Sequence, residues 1–157
     1  MSRRILVVDD DPASYELVAY FLKSLGYNVA IAADGSRALN MDLEDDIELV
    51  ILDVHMPQYD GDEVLVMLRA RRLSRPVKVL ALTADDSDDV RESMRSAGAD
   101  GFLTKPVDLE VLRHEVSRLM PGTSQAEGAL HRRVRERGVT PVSIDPRAAL
   151  KRQPRPI

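Results

Sequence analysis

Residues 5–12, near the start of the chain, read ILVVDDDP. Four consecutive apolar residues, rather than an alternating pattern, are typical of a strand that is covered on both faces, as in a parallel sheet. Pro12 suits the first turn of a helix, and Asp11 is placed to cap that helix. The stretch therefore predicts a strand, an acidic strand end and a helix, in that order.

The same pattern recurs along the first 105 residues. Further short apolar runs lie at residues 29–32, 49–52, 77–82 and 101–103, with helical spacing between them. One helix face is predicted before Gly26, where the helix would end; its members are Leu17, Val18, Phe21, Leu22 and Leu25. Strands that alternate with helices through crossovers of this length predict an α/β protein with an open, doubly wound parallel sheet.

Composition excludes several classes of protein. The chain has no Cys, which rules out disulfides and thiolate metal sites and is compatible with a reducing cytoplasm. No run of eighteen apolar residues is present, so we expect no membrane span. The apolar stretch at the N-terminus stops at Val8 before three aspartates, which does not fit a signal peptide. The expected location is the cytoplasm.

Charge divides the chain near Pro121. Residues 1–120 carry 14 Lys and Arg against 23 Asp and Glu, whereas residues 121–157 carry 8 against 3. The acidic part, predicted to be one domain, would repel nucleic acid. The basic part has four prolines after residue 140 and few large apolar residues, so we expect a tail with one helix over residues 124–137 at most and disorder elsewhere. Three interpretations of that helix stay open: a solvated segment, a nucleic-acid contact, or docking on the acidic domain.

Chemically specialised residues stand where the predicted strands end. In a parallel sheet these ends meet at one edge, and reactive groups gather there. The residues are Asp9, Asp10 and Asp11 after the first strand, Asp53 after the third, Thr83 after the fourth and Lys105 after the fifth. Crowded carboxylates raise one another's pKa unless a cation compensates them, and oxygen ligands of this kind suit Mg²⁺.

This set of groups predicts phosphoryl transfer to a carboxylate. Asp53 would be the nucleophile and would form an acyl phosphate. Lys105 would place a positive charge against a phosphoryl oxygen, and the Thr83 hydroxyl would donate a hydrogen bond to another. Asp10 and Asp53 would be ligands of the Mg²⁺ ion.

Four motifs in order and at matching spacing resemble the receiver domain of response regulators. They are residues 5–12 (ILVVDDDP), 52–61 (LDVHMP with DG at its end), 82–84 (LTA) and 98–106 (GADGFLTKP). The resemblance covers roughly residues 3–120 and implies a flavodoxin-like (βα)₅ fold with strand order 2-1-3-4-5. It implies a cis peptide bond between Lys105 and Pro106. The remaining length is short for a winged-helix output domain, so we expect a stand-alone receiver with an extension.

The resemblance also implies partners and a ligand set. A histidine kinase or phosphotransfer protein would phosphorylate Asp53, and the change would be relayed to an unidentified downstream protein. Mg²⁺ would be held by Asp10, Asp53 and the main-chain carbonyl of His55, with Asp9 acting largely through water. Receivers can dimerise on phosphorylation, so a homodimer is allowed.

The role of three residues is left open by the sequence. The resemblance places a switch aromatic, often Tyr, at Phe102, whereas aromatic residues in strands are usually core. His55 and Asp85 lie two residues after Asp53 and Thr83, and the resemblance implies that residues at these positions flank the phosphoryl group. They either tune the lifetime of the phosphorylated state or point into solvent.

Two functions of other classes compete with the signalling interpretation. A haloacid-dehalogenase-like phosphatase would use Asp9 as its nucleophile, with Asp11 completing an Asp-x-Asp motif, although Ala13 and the short chain fit that family poorly. A binding module that merely keeps the fold is the other alternative, and the complete set of Asp9, Asp10, Asp53, Thr83 and Lys105 argues against it. The preferred interpretation is a signalling domain rather than an enzyme.

Overall fold

The computed structural model describes residues 3–41, 43, 46–73 and 75–122. Within them five strands alternate with five helices, which confirms the predicted order of elements. The strands are β1 (Arg4–Val8), β2 (Asn28–Ala32), β3 (Ile47–Asp53), β4 (Lys78–Thr83) and β5 (Gly101–Thr104). The helices are α1 (Pro12–Ser24), α2 (Gly35–Asn40), α3 (Gly61–Ala70), α4 (Asp88–Ala97) and α5 (Leu109–Leu119).

All five strands are parallel and stand in the order β2-β1-β3-β4-β5, which confirms the predicted fold. The register aligns their carboxyl ends. Val8 at the end of β1 lies beside Ala32 of β2 and Leu52 of β3, and Thr83 lies beside Thr104 of β5. Residues that follow the strands are therefore brought to one edge of the sheet.

The sheet separates two apolar layers because successive strand residues point to opposite faces. On one face, Ile5 and Val7 of β1 share a cluster with α1 and α5. On the other face, Leu6 and Val8 share a cluster with residues of α2, α3 and α4. The continuously apolar run of β1 is thus buried on both faces, as its sequence predicted.

The first helix begins as predicted and buries a narrower face than predicted. The Asp11 side chain caps α1 by accepting a hydrogen bond from the Ala13 N–H, and Pro12 is the first helical residue. Leu17, however, is 49% exposed, and Ala19 is buried instead. The prediction for Leu17 is wrong because the buried stripe runs through Val18 and Leu22, and a residue one position earlier lies about 100° around the helix.

The start of α4 has a capping serine and two acidic residues. Ser87 caps α4, and Asp88 and Asp89 lie in its first turn, where negative charge meets the positive end of the helix dipole. None of the helices among the described residues combines the length and apolar character needed to cross a bilayer. The predicted tail of residues 121–157, with its helix at 124–137, falls almost wholly outside the described residues and stays a prediction, as does the domain boundary at residue 120.

Candidate functional site

The predicted site residues meet at the carboxyl edge of the sheet. Asp9 follows β1, Asp53 ends β3 and Thr83 ends β4, and all three are buried. Lys105 follows β5, and its main-chain N–H donates a hydrogen bond to the Thr83 carbonyl. The parallel register therefore places one residue from each of four strands around a single point.

Lys105 joins the two buried carboxylates. Its Nζ lies 2.8 Å from Asp9 Oδ2 and 3.3 Å from Asp53 Oδ2. Among the described residues it is the one Lys or Arg that forms an ion pair with either carboxylate. The Lys105–Pro106 peptide bond is cis, as the resemblance implied.

Asp9 is held ionised by several donors. Besides Lys105, it accepts hydrogen bonds from the Ser14 hydroxyl at 2.6 Å and from the Asp11 N–H at 3.0 Å. Burial would raise the pKa of Asp9, but the hydrogen bonds from Lys105, Ser14 and Asp11 outweigh it and hold the pKa below its ordinary value. Sequence reasoning missed Ser14, whose only signal was its place in the first turn of the helix after the aspartates.

Asp53 has the opposite electrostatic balance. Burial, and then the negative charge of Asp9, raise the pKa of Asp53 to about 6, while Lys105 and a 3.2 Å hydrogen bond from the His55 N–H oppose the rise. The fold thus favours the protonated form, so stability falls as pH rises from about 4, the unfolded-state pKa, through about 6. Above that window the penalty is about 3 kcal/mol. One lysine does not fully compensate two buried carboxylates.

The acidic groups fit a divalent cation. Carboxylate oxygens of Asp9, Asp10 and Asp53 all lie within 4.8 Å of one another, with Asp10 exposed and the other two buried. Hard oxygen ligands with one side open to water are what Mg²⁺ accepts. His55 contributes its N–H to Asp53, whereas its carbonyl as a metal ligand stays a prediction.

Thr83 and Asp85 form the next part of the rim. The Thr83 hydroxyl oxygen accepts a hydrogen bond of 3.0 Å from the Asp85 N–H, so the hydroxyl keeps its own proton to donate. Asp85 Oδ1 accepts from the Ser87 N–H, and this bond, more than the nearby charge of His55, holds the pKa of Asp85 below its ordinary value. Both Asp85 and His55 are exposed, on the solvent side of the site.

Phe102 lies on β5, partly buried against the cluster that covers the α2, α3 and α4 face. The Arg91 guanidinium of α4 stacks on its ring, 4.8 Å from the ring centre. Such a contact contributes about 0.5–1 kcal/mol at an exposed site. Phe102 is thus a core residue on one side and a contact of α4 on the other, and its role as a switch stays a prediction.

Gly61 sets the distance between α3 and the end of β3. A Cβ at Gly61 would lie 2.6 Å from Val54 Cα and 2.7 Å from the Asp53 carbonyl oxygen, and both atoms belong to the backbone. We expect Gly61→Ala to lower the free energy of unfolding by about 2 kcal/mol or more, because the backbone beside Asp53 must shift. Urea unfolding measures this.

Gly35 provides the matched control, since it too is a buried first residue of a helix. A Cβ at Gly35 would meet the Val64 side chain at 2.7 Å, and a side chain can turn away at lower cost than a backbone. Gly35→Ala should therefore destabilise less than Gly61→Ala. Equal losses would show that the approach of α3 to β3 is not specially tight.

A five-stranded parallel sheet of this order, with buried aspartates and a lysine at its carboxyl edge, defines the class of receiver domains. The family model for the response regulator receiver domain matches residues 5–117. The chain belongs to this family and is a receiver domain of two-component signalling systems. This membership gives no support to the phosphatase alternative, and in the structure both oxygens of Asp9 are engaged by Lys105, Ser14 and Asp11.

Curated relatives agree with the family assignment. The chain is 43% identical over 129 residues to the response regulator MprA of Mycolicibacterium vanbaalenii and, equally, to that of Mycobacterium tuberculosis. The match takes in 82% of this chain and 55% of each relative. The chain therefore spans about half the length of the curated relatives that it matches.

Solved structures show the same fold. The chemotaxis protein CheY4 of Vibrio cholerae is 30% identical with a TM-score of 0.71, over 76% of this chain and 99% of that one. The receiver domain of the sensor histidine kinase PA1611 from Pseudomonas aeruginosa is 31% identical with a TM-score of 0.68, over 76% and 98%. That receiver has a magnesium ion coordinated in its active site cleft.

Proposed function

We propose that Asp53 accepts a phosphoryl group from a histidine kinase or phosphotransfer protein and that the change is relayed to a downstream protein. The observation that carries this proposal is the pairing of two buried carboxylates, Asp9 and Asp53, with a single Lys105. The site holds more negative charge than its own cation offsets, and it opens to solvent at Asp10. Such a site suits a metal ion and an anionic phosphoryl group together.

The reaction needs little covalent assistance. An oxygen of Asp53 attacks phosphorus, a new O–P bond forms, and the bond to the donor breaks with its electron pair leaving on the donor. Asp10, Asp53 and the carbonyl of His55 would hold Mg²⁺, with Asp9 acting largely through water. When bound, Mg²⁺ supplies positive charge to the phosphoryl oxygens. Lys105 turns from Asp53 to a phosphoryl oxygen, and the Thr83 hydroxyl donates its proton in a hydrogen bond to another.

These movements connect the site to a distant surface. The Thr83 hydroxyl oxygen is bonded to the Asp85 N–H, and Asp85 begins the segment that leads through the Ser87 cap into α4. A shift of Thr83 toward a phosphoryl group would therefore displace the start of α4. We infer that the signal reaches the face formed by α4, β5 and α5. We propose further that two copies of the chain dimerise on phosphorylation and that the protein acts in the cytoplasm.

Acetyl phosphate, a small donor, tests phosphorylation without the kinase. The protein should gain the mass of one phosphoryl group in Mg²⁺ and gain almost none when EDTA removes the metal. Peptide mapping after borohydride reduction of the acyl phosphate should place the group on Asp53. A binding module that keeps the receiver fold without being phosphorylated would gain no phosphoryl mass, either in Mg²⁺ or in EDTA.

His55 and Asp85 should set the lifetime of the phosphorylated state in opposite directions. Removing the exposed His55 side chain opens the site to water, so His55→Ala should shorten the half-life of the acyl phosphate. Asp85→Ala removes a carboxylate able to orient attacking water and should lengthen it. We expect changes of about threefold or more, below the effect of a fully positioned base. Timed loss of the phosphoryl mass measures both.

Asp86→Ala is the control for this pair, because Asp86 is exposed on the same segment but follows Asp85 away from Thr83. The acyl phosphate of the Asp86→Ala variant should have the same half-life as that of the wild type. If all three variants lose phosphate at the wild-type rate, the side chains of His55 and Asp85 only point into solvent.

A further inference from the structure

A groove between α3 and α4 is left open on the surface. It has a volume of about 530 Å³ and is lined on the α3 side by Val66 and Met67, with Tyr59 at one end. The α4 side consists of small residues, Ser93, Ser96 and Ala97. The small residues on the α4 side leave space in the groove for side chains of another molecule to pack against the larger apolar residues of α3.

The apolar wall of this groove is exposed to solvent. Val66 is 56% and Met67 is 44% exposed, while Val64, Leu65 and Leu68 of the same helix are buried. A single exposed apolar residue is ordinary on a protein surface. Two adjacent ones beside a groove are the arrangement that partner-binding surfaces use.

One end of the groove is acidic. Asp62 and Glu63 line it, and a second cavity of about 130 Å³ shares Asp62 and Ser93 with it and continues to Asp60 and His55. Among the described residues, Asp60, Asp62 and Glu63 form no ion pair with a Lys or Arg. The groove thus runs from an apolar part on α3 toward three carboxylates in and beside the first turn of α3, which have main-chain partners but no ion pair.

We propose that this groove binds an amphipathic helix of a partner protein, with apolar residues on Val66 and Met67 and a lysine or arginine beside Asp60, Asp62 and Glu63. A trough between two helices of about 15 Å each receives roughly three turns of a third helix. The acidic end selects a basic partner and disfavours nucleic acid or an anionic membrane. The proposal concerns the unphosphorylated chain and does not depend on phosphorylation of Asp53.

A synthetic helix tests the proposal directly. The probe is a fluorescein-labelled peptide of about 14 residues, all leucine and lysine with leucines on one face, titrated with the full chain and followed by anisotropy. A peptide of the same composition with scrambled order, and one with glutamate for lysine, should bind far more weakly. Amide NMR shifts on binding should centre on Val66, Met67, Ser93 and Ser96.

Two pairs of variants separate groove binding from general adhesion. Replacing Val66 and Met67 together by serine should raise the dissociation constant about tenfold. Replacing Leu17 and Tyr20 of α1 by serine is the matched control, since these residues are 49% and 77% exposed, and should change it less than about twofold. All four positions face solvent, and circular dichroism confirms that each variant is folded.

The acidic end of the groove is tested separately, by removing its charges. Asp62→Asn with Glu63→Gln keeps an acceptor for the Asp60 N–H that Glu63 binds and should remove most of the salt dependence of binding. The proposal would be overturned if both serine pairs raised the dissociation constant of the peptide equally, or if the Val66 and Met67 pair left it unchanged. The proposal would also be overturned if the wild type were a dimer in sedimentation equilibrium and the Val66 and Met67 serine variant a monomer. A second copy of the chain would then cover the groove.

Discussion

Asp53→Asn should abolish phosphoryl uptake from acetyl phosphate. The asparagine amide has nearly the same shape as the carboxyl but no nucleophilic oxygen, so no acyl phosphate can form. Intact mass after incubation with Mg²⁺ should show no added phosphoryl group, against one in the wild type. Label that persists in Asp53→Asn would place the acceptor elsewhere, and Asp9 would then be the first residue to examine.

The same substitution should stabilise the metal-free protein at neutral pH. The raised pKa of Asp53 means that the fold favours the neutral side chain, and asparagine is neutral at every pH. The gain in the free energy of unfolding is at most about 3 kcal/mol above pH 6. It is reduced because the substitution removes the charged oxygen of Asp53 as an acceptor for Lys105. It should shrink as pH falls through about 4 and vanish near about pH 3, where Asp53 is protonated in both states. Urea unfolding in EDTA at the two pH values measures this, and Asp86→Asn, an exposed control, should show neither effect.

The fold was predictable from the sequence because the strands of a buried parallel sheet leave an unambiguous pattern. The run at residues 5–8 is apolar throughout, and β1 begins one residue earlier, at Arg4. The predicted start of β3 at residue 49 is two residues late, because Ile47 is buried while Glu48 between them is polar and interrupts the run. Errors of this kind affect the ends of elements and leave the topology unchanged.

The site followed from the fold for the same reason. Once the strands are parallel and in register, Asp9, Asp53, Thr83 and Lys105 must meet at one edge. Ser14 could not be found in this way, because its contact with Asp9 depends on the angle at which α1 leaves β1.

Exposed surfaces were the least predictable feature. Leu17, predicted to lie on the buried face of its helix, is 49% exposed, and the apolar Met67 is 44% exposed. Helical periodicity gives the direction of a side chain around its own axis but not where the neighbouring helix lies. The groove between α3 and α4 arises from the spacing of two helix axes, which is a property of the packed structure.

Lys105→Met should destabilise the metal-free protein by about 3–5 kcal/mol at pH 8, because it leaves Asp9 and Asp53 buried without a cation. Methionine keeps most of the volume of the lysine stem, so the loss reports charge rather than packing. The Lys105 side chain is 21% exposed and the two carboxylates are less than a tenth exposed, so water screens the pairs weakly. Urea unfolding in EDTA measures the loss.

The pH dependence identifies the origin of the loss. Without Lys105, the pKa of Asp9 and that of Asp53 both rise, and a raised acid pKa costs stability only above the unfolded-state value. The loss should therefore be small near pH 4 and grow as pH rises through about 6. Lys78→Met is the control, since Lys78 Nζ lies 3.8 Å from Asp100 and is 51% exposed, and it should cost less than about 1 kcal/mol.

Addition of Mg²⁺ completes this test, because a cation held by Asp10 and Asp53 replaces part of the charge that Lys105 supplied. Binding to the folded state alone stabilises it by mass action, and the variant, with more uncompensated negative charge, should gain more than the wild type. The difference between the two proteins should therefore narrow as Mg²⁺ is raised. A loss that is equal at all pH values and indifferent to Mg²⁺ would mean that Lys105 acts by packing and that the two carboxylates do not form the proposed metal site.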